Sequence, residues 1–205
     1  MDIPNGKKYV VWVRIAKTGS TSTEDTLIHM QSFVKYQTVL KDPNKLDPNR
    51  HIIRVTDLSQ LTEGDIDMDE CFIFAVVRNP YQRALSGWNY HKWFRAKDNF
   101  THALKNPPQK DKDKEEGAWR HFTKTMTQHL LYDNRLRIDH VIKLENYDEE
   151  FSKFLCEKLG FSKSDFNILK KNANGKKKQN ISREELDLIN KRFADDFKNF
   201  GYEMK

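Results

Sequence analysis

The sequence is poor in cysteine: Cys71 and Cys156 are the only two among 205 residues. Two thiols exclude a disulfide framework and a four-cysteine zinc site, and they leave the redox compartment open. No stretch approaches the ~20 apolar residues that span a bilayer. The N-terminus, Met1-Asp2-Ile3-Pro4-Asn5-Gly6, has no signal-peptide core. The seven histidines are scattered rather than paired at ligand spacing, so no metal is expected. Internal repeats and clear linkers are missing as well. What remains is 37% hydrophobic, 32% charged and 12% aromatic, too aromatic for a disordered chain and too charged for a membrane protein. Such a length suits one domain, which can bury roughly 70% of its extended-chain surface and needs no staples.

Lysines and arginines number 36 against 30 acids, a formal net charge of +6. Its location matters more than its size. Residues 170–178 hold five lysines and no acid, and without them the balance falls to +1. A protein that tracks a polyanion spreads its basic residues over a face, so nucleic acid is not the expected partner. One basic loop suits closure over a small, highly charged ligand.

Tyr9-Val10-Val11-Trp12-Val13 is a nearly continuous apolar run, as expected of a strand buried on both faces. A turn from Ala16 to Ser22 follows, then a helix carrying Leu27, Met30 and Val34 on one face. Residues 41–50, with two prolines, read as loop. His51 to Val55 is a second strand, and Cys71 to Val77 is the strongest one. The latter runs into Arg78-Asn79-Pro80, where Asn79 is an N-cap and Pro80 the first residue of a helix reaching about Trp93. Residues 105–116, with four lysines, four acids and a Pro-Pro pair, read as a solvated loop or insertion. Beyond it the pattern predicts a helix from Trp119 to Tyr132 and a strand from His140 to Leu144. A capping box at Asn146 to Glu149 would open a helix with Phe151, Phe154, Leu155 and Leu159 inward. Ser182-Arg183-Glu184-Glu185 is a full capping box, and Leu186, Ile189, Phe193 and Phe197 follow at helical spacing. This alternation predicts one α/β domain over residues 1–205, three-layered, with a central parallel sheet flanked by helices. Ligands on such sheets bind at the carboxyl ends of strands, which singles out the loops after Val13 and Val77.

The first of these loops is Lys17-Thr18-Gly19-Ser20-Thr21-Ser22. A strand delivers the chain to a tight turn, a glycine lets the backbone approach a ligand, and a helix N-terminus points N–H groups outward. That is an anion site, reinforced by the helix dipole, four hydroxyls and the Lys17 charge. It is not a Walker A loop, because the lysine precedes the only glycine. The second loop, Arg78-Asn79-Pro80-Tyr81-Gln82-Arg83-Ala84-Leu85-Ser86, places Arg78 at a strand end, where a guanidinium can grip a phosphate bidentately. Ser86 follows Asn79 by two helical turns and shares its face.

Together the two loops resemble the cofactor motifs of the sulfotransferases that use 3′-phosphoadenosine 5′-phosphosulfate (PAPS). Lys17 to Ser22 is similar to their 5′-phosphosulfate loop, with Ala16 where proline is usual. Arg78 to Ser86 is similar to their 3′-phosphate element, Arg-[Asp/Asn]-Pro-x-x-Arg-x-x-Ser. The likeness is greatest to carbohydrate O-sulfotransferases of the heparan and chondroitin sulfate type. It extends through Lys143-Leu144-Glu145-Asn146 and through Asp196-Phe197, Phe200, Gly201 and Tyr202.

The resemblance implies the P-loop-kinase-like sulfotransferase fold and in-line transfer of a sulfuryl group from PAPS to an acceptor hydroxyl, on a glycan or another small molecule. The product nucleotide is adenosine 3′,5′-bisphosphate (PAP), and no metal takes part. Lys17 would stabilise the leaving phosphate oxygen, Thr18, Gly19, Ser20, Thr21 and Ser22 would cradle the 5′-phosphate, and Arg78 and Ser86 would hold the 3′-phosphate. His51 corresponds to the catalytic base of the heparan sulfate 2-O type, with Glu24 and Asp57 as carboxylate alternatives. The basic segment with Lys176 and Lys177 corresponds to a stretch that folds over the nucleotide in relatives. The aromatic segment Trp88 to Arg95 would line the acceptor cleft, with Trp88 and Phe94 in the core. His121, Gln128 and His129 lie on a helix that faces the acceptor in relatives. Two other readings stay open: a nucleotide or small-molecule kinase, which would need Mg²⁺, and a non-catalytic polyanion-binding module. A compact start at Met1 favours a cytoplasmic, microbial-type chain over a Golgi lumenal domain lacking its anchor.

Overall fold

The computed structural model describes residues 3–47, 51–63, 66–91, 99–109, 116–169 and 180–205. In chain order they form β1 (Tyr9–Val13), α1 (Ser20–His29), β2 (Phe33–Lys35), α2 (Tyr36–Lys41), β3 (Ile52–Val55), β4 (Cys71–Val77), α3 (Pro80–Tyr90), α4 (Phe100–Lys105) and α5 (Glu116–Ala118). After these come α6 (Met126–His129), β5 (Leu131–Tyr132), β6 (Arg135–Leu136), β7 (His140–Lys143), α7 (Tyr147–Lys153), α8 (Arg183–Arg192) and α9 (Ala194–Phe200). Five strands make one parallel sheet in the order β2-β3-β1-β4-β7, flanked by helices as the alternating pattern predicts. The packing divides into two compact units: one within Met1–Ile15, Gly19–Val77 and His129–Ala173, the other within Ala16–Thr18, Arg78–Gln128 and Asn174–Lys205.

The first unit contains the sheet. Val11 of the central β1 pairs with Ile53 of β3 on one side and Ile73 of β4 on the other. All seven residues of β4 are buried, which is why its sequence is an unbroken apolar run rather than an alternation. On one face Val10, Trp12, Phe72, Phe74, Val76 and Ile142 pack with Leu27 of α1 and with Tyr147, Phe151 and Phe154. Each fully buried phenylalanine or leucine there contributes about 1.5–3 kcal/mol. The Tyr147 hydroxyl donates to Thr23 Oγ1 at 2.9 Å, and the Leu169 N–H donates to Thr26 Oγ1 at 3.1 Å, so polar bonds also locate α1.

Several expected elements differ. Val34 lies on the short strand β2 and not on the first helix, because Gln31 takes a left-handed φ of 54° and turns the chain. The strand after His140 stops at Lys143, and Leu144 begins a 3₁₀ turn. That turn leads into α7 without the extended residue a side-chain cap needs, so Asn146 does not cap; its amide donates to Glu150 Oε1 at 3.3 Å. The helix expected from Trp119 to Tyr132 is broken into a π turn at Trp119–Thr123, the short α6, and a hairpin whose Asp133 and Asn134, at φ 47° and 58°, form a two-residue primed turn.

The second unit is built on α3. Asn79 caps it as expected, accepting from the N–H groups of Tyr81 (3.1 Å) and Gln82 (3.4 Å), with Pro80 in the first turn. Tyr81, Ala84 and Trp88 pack against Phe100, Leu104, Phe122, Ile189, Phe193 and Phe197. The Ser182 capping box forms: Ser182 Oγ accepts from the Glu185 N–H, and the Glu185 carboxylate accepts from the Ser182 N–H. The same carboxylate accepts from Thr101 Oγ1 at 2.9 Å and so ties α8 to α4. Asp196 of α9 is wholly buried and accepts from the Met126 N–H (2.9 Å), the Thr127 N–H (2.8 Å) and Thr127 Oγ1 (2.9 Å). This remote carboxylate restarts the chain as α6 and explains why helical periodicity alone misread the segment.

Asp196→Ala leaves two buried amides without their acceptor and should cost on the order of 3 kcal/mol. It should lower the urea midpoint with little change in slope, whereas the exposed Asp195→Ala should stay within about 0.5 kcal/mol. Gly87→Ala would put a Cβ 2.3 Å from the His121 carbonyl oxygen, and overpacking should cost about 1–3 kcal/mol by the same assay.

Candidate active site

β1 and β4 are adjacent and parallel, so the loops that follow them leave the same carboxyl edge of the sheet. On passing from β3 to β4 the chain crosses from one side of β1 to the other, which is where open α/β sheets bind ligands.

The first loop is shaped by two left-handed residues, Lys17 at φ 68° and Gly19 at φ 81°. Gly19 is the N-cap of α1 and brings no side chain to the helix start. The first intrahelical bond runs from the Thr23 N–H to the Gly19 carbonyl at 3.2 Å, so the amides of Ser20 to Ser22 precede the ladder. A Cβ on Gly19 would stand 2.5 Å from Leu144 Cδ1, which makes glycine necessary on both steric and conformational grounds. Thr18, Ser20 and Ser22 are buried, and Thr21 is exposed. An uncapped helix start with a lysine ahead of it is suited to an anion.

In the second unit Arg78 reaches this lysine. Its Nη1 donates to the Lys17 carbonyl at 3.4 Å and its Nη2 to Gln82 Oε1 at 3.5 Å, both long contacts. Ser86, nearly buried, lies two turns and about 10 Å along α3 from Asn79, on the same face. Arg83, a member of the motif to which sequence reasoning assigned no role, is 1% exposed. Its Nε donates to the Ala16 carbonyl (3.1 Å), and its Nη2 donates to the carbonyls of Lys124 (2.8 Å) and Arg120 (3.4 Å). Burial pulls its pKa down to about 10, against the opposing pull of Asp196, so it stays cationic at neutral pH. Arg83 is a positioning residue: it fixes the backbone one residue ahead of Lys17.

The Lys17 ammonium rests over the Tyr90 ring, 4.0 Å from its centroid. Tyr90, 59% exposed, meets the rings of His91 and His121 edge-on at 5.1 and 4.9 Å. His91 Nε2 and His121 Nδ1 face each other at 3.0 Å. Burial lowers the His91 pKa and the Lys17 charge lowers it further, while a hydrogen bond to the Gly117 backbone raises it. This cluster was only partly legible: Tyr90 and His91 stand in the aromatic segment, and 30 residues separate the two histidines.

Other expected site residues lie elsewhere. His51 precedes β3, whose Ile52 pairs with Val10 of β1, so it stands at the amino edge of the sheet. That is about 10 Å or more from the edge where the loops leave, and its Nδ1 accepts from the Asp47 N–H at 3.1 Å. A base at His51 is therefore not supported by the geometry. Glu24 is held between Arg14 (3.0 Å) and Arg54 (3.3 Å). Asp57 lies 3.3 Å from Nδ1 of His129, which also bonds the Thr56 carbonyl at 2.7 Å and is buried. Trp88 is core, as expected. Lys176 and Lys177, the rest of residues 170–178, and residues 92–98 lie outside the described residues. Among the described residues no group of three His, Cys, Asp or Glu could hold a metal ion, and no helix is long and apolar enough to cross a membrane.

A model of the sulfotransferase family matches residues 3–203. The crystal structure of a sulfotransferase from Alicyclobacillus acidocaldarius is similar at a TM-score of 0.53, covering 96% of this chain and 97% of that one with 13% identity. At that identity the likeness speaks for the fold alone. A comparison with curated proteins finds no match. The family model matches nearly the whole sequence, including the strand-to-helix loop and the arginine that follows β4, and this chain belongs to the sulfotransferase family.

Proposed function

We propose that the chain transfers a sulfuryl group from PAPS to an acceptor hydroxyl, with a carbohydrate as the acceptor class. The observation that carries this reading is the contact between the two loops: the Arg78 guanidinium on the Lys17 carbonyl sets two cations at one backbone turn. A nucleotide charged at both its 5′ and 3′ positions matches two such groups better than a nucleoside triphosphate does. The left-handed turn at Lys17 and Gly19, with no Cβ at Gly19, fits a phosphosulfate approaching the amides of Ser20 to Ser22.

When bound, the donor supplies the activated sulfuryl group. Lys17 then places a compact positive charge where the leaving phosphate oxygen gains electrons, and preorganised amides add to it. Arg78 and Ser86 hold the 3′-phosphate, which distinguishes this nucleotide from ATP. Lys176 and Lys177 join the set on the resemblance. The carbohydrate acceptor rests on the likeness to heparan and chondroitin sulfate enzymes, supported by the exposed Tyr90 ring, on which a sugar can stack.

PAP at 100 times its dissociation constant should stabilise the protein by about 2.7 kcal/mol in the presence of EDTA. A melt shifted by ATP with Mg²⁺ but not by PAP would instead indicate a kinase. Arg78→Ala should weaken PAP by roughly tenfold or more while leaving 5′-AMP affinity nearly unchanged, since a charged hydrogen bond to the 3′-phosphate contributes about 1.5–3 kcal/mol. Calorimetric titration with the two nucleotides separates these outcomes. For the acceptor, sulfate from labelled PAPS should appear on desulfated chondroitin or heparosan.

A further inference from the structure

Sulfuryl transfer to a hydroxyl releases a proton, and none of Glu24, Asp57 and His51 is placed to receive it. Glu24 is bound by two arginines, Asp57 by a buried histidine, and His51 lies at the amino edge of the sheet. The pair His91–His121 is differently situated. Both rings are half-buried, and both touch Tyr90, the ring on which the Lys17 ammonium rests. We propose that the His91–His121 pair takes the proton from the acceptor hydroxyl as that oxygen attacks sulfur, an inference that rests on the donor reading above.

In the neutral pair the nitrogens facing each other at 3.0 Å share one proton, so one ring donates and the other accepts. His91 donates through its other nitrogen to the Gly117 backbone, so its Nε2 accepts from His121 Nδ1–H, and the donating ring, His121, carries its lone pair on Nε2. A proton arriving there makes an imidazolium whose existing N–H bond to the partner ring becomes charge-assisted. The balance is complete: the acceptor O–H bond breaks, its proton goes to imidazole, an O–S bond forms, and the S–O bond to the 5′-phosphate breaks with its electron pair on the phosphate. No metal or oxidant is required.

Lys17 couples the pair to the nucleotide. The charge acting on His91 is that of Lys17, the Tyr90 ring lies between Lys17 and both imidazoles, and the Glu116–Arg120 ion pair (2.7 Å) anchors the turn just before His121. Without nucleotide, the Lys17 charge holds the His91 pKa down, adding to the effect of burial. An anion at Lys17 cancels that contribution, so the pair gains proton affinity when the donor is in place.

The test uses the full chain and two readouts. Histidine side-chain NMR titration of the wild type should show the His91 midpoint rising on saturation with PAP, and the shift should vanish in Lys17→Ala. His91→Gln and His121→Asn keep a polar atom at the contact but cannot take the proton. In each, PAPS turnover with glycerol as the hydroxyl source should fall about 100-fold or more, with PAP affinity unchanged as the check on folding. If PAP binds and the His91 midpoint does not move, or if either variant turns over like wild type, the pair is not the base. Failure of PAP to bind at all overturns the donor reading itself.

Discussion

The arrangement of the site depends on a cation that no ligand would touch. Arg83 is buried, and a guanidinium in that position is costly unless its donors are satisfied. Its Nε and Nη2 donate to three backbone carbonyls, those of Ala16, Arg120 and Lys124, and the Asp196 charge favours its protonated form. Asp196 in turn holds the amides at the start of α6. These two buried charges thus fix the backbone before Lys17, the π turn that carries His121 and the segment leading into α6. A lysine has no guanidinium fork and would leave two of those carbonyls unmet. What these bonds hold is backbone, and the side chains of Lys17 and His121 are mounted on it.

What the sequence revealed and what it hid follow one physical division. Most signals confined to neighbouring residues were reliable, among them the apolar runs of β1 and β4, the Asn79–Pro80 helix start and the reciprocal Ser182–Glu185 cap. Signals completed from far along the chain were not. The segment after Trp119 has helical periodicity, yet Asp196, 70 residues from Met126, dictates where its last helix begins. Asn146 has the composition of a cap but not the backbone, since a 3₁₀ turn enters α7 directly. The contact between His91 and His121 has no local signature.

The placement of His51 illustrates a different point. Its type suited a base, and its position between the two motifs agreed with the resemblance. But a parallel sheet puts every residue that precedes a strand at the amino edge, while loops that follow strands leave the carboxyl edge. The alternation of strands and helices already implied that direction. Topology therefore outweighed residue chemistry, and at the carboxyl edge β1 and β4 deliver lysine and arginine.

Lys17 combines a strained backbone with an ammonium seated on an aromatic ring. A left-handed conformation in a residue other than glycine costs about 1–3 kcal/mol and persists only where its surroundings over-determine it. Here Arg83 holds the preceding carbonyl and Arg78 holds that of Lys17 itself. Its ammonium rests on the Tyr90 ring, a weak contact by comparison. A cation over an exposed ring gains about 0.5–1 kcal/mol, whereas a hydrogen bond between charged groups is worth about 1.5–3 kcal/mol. On the proposed donor reading, a phosphate oxygen would displace the ammonium from Tyr90. A compact ammonium on a four-carbon stem can make that exchange without moving its backbone, whereas a planar guanidinium would have to reorient its whole fork. On that reading the strain in the turn would aim the charge, and the ring contact would give way to the stronger bond with the arriving anion.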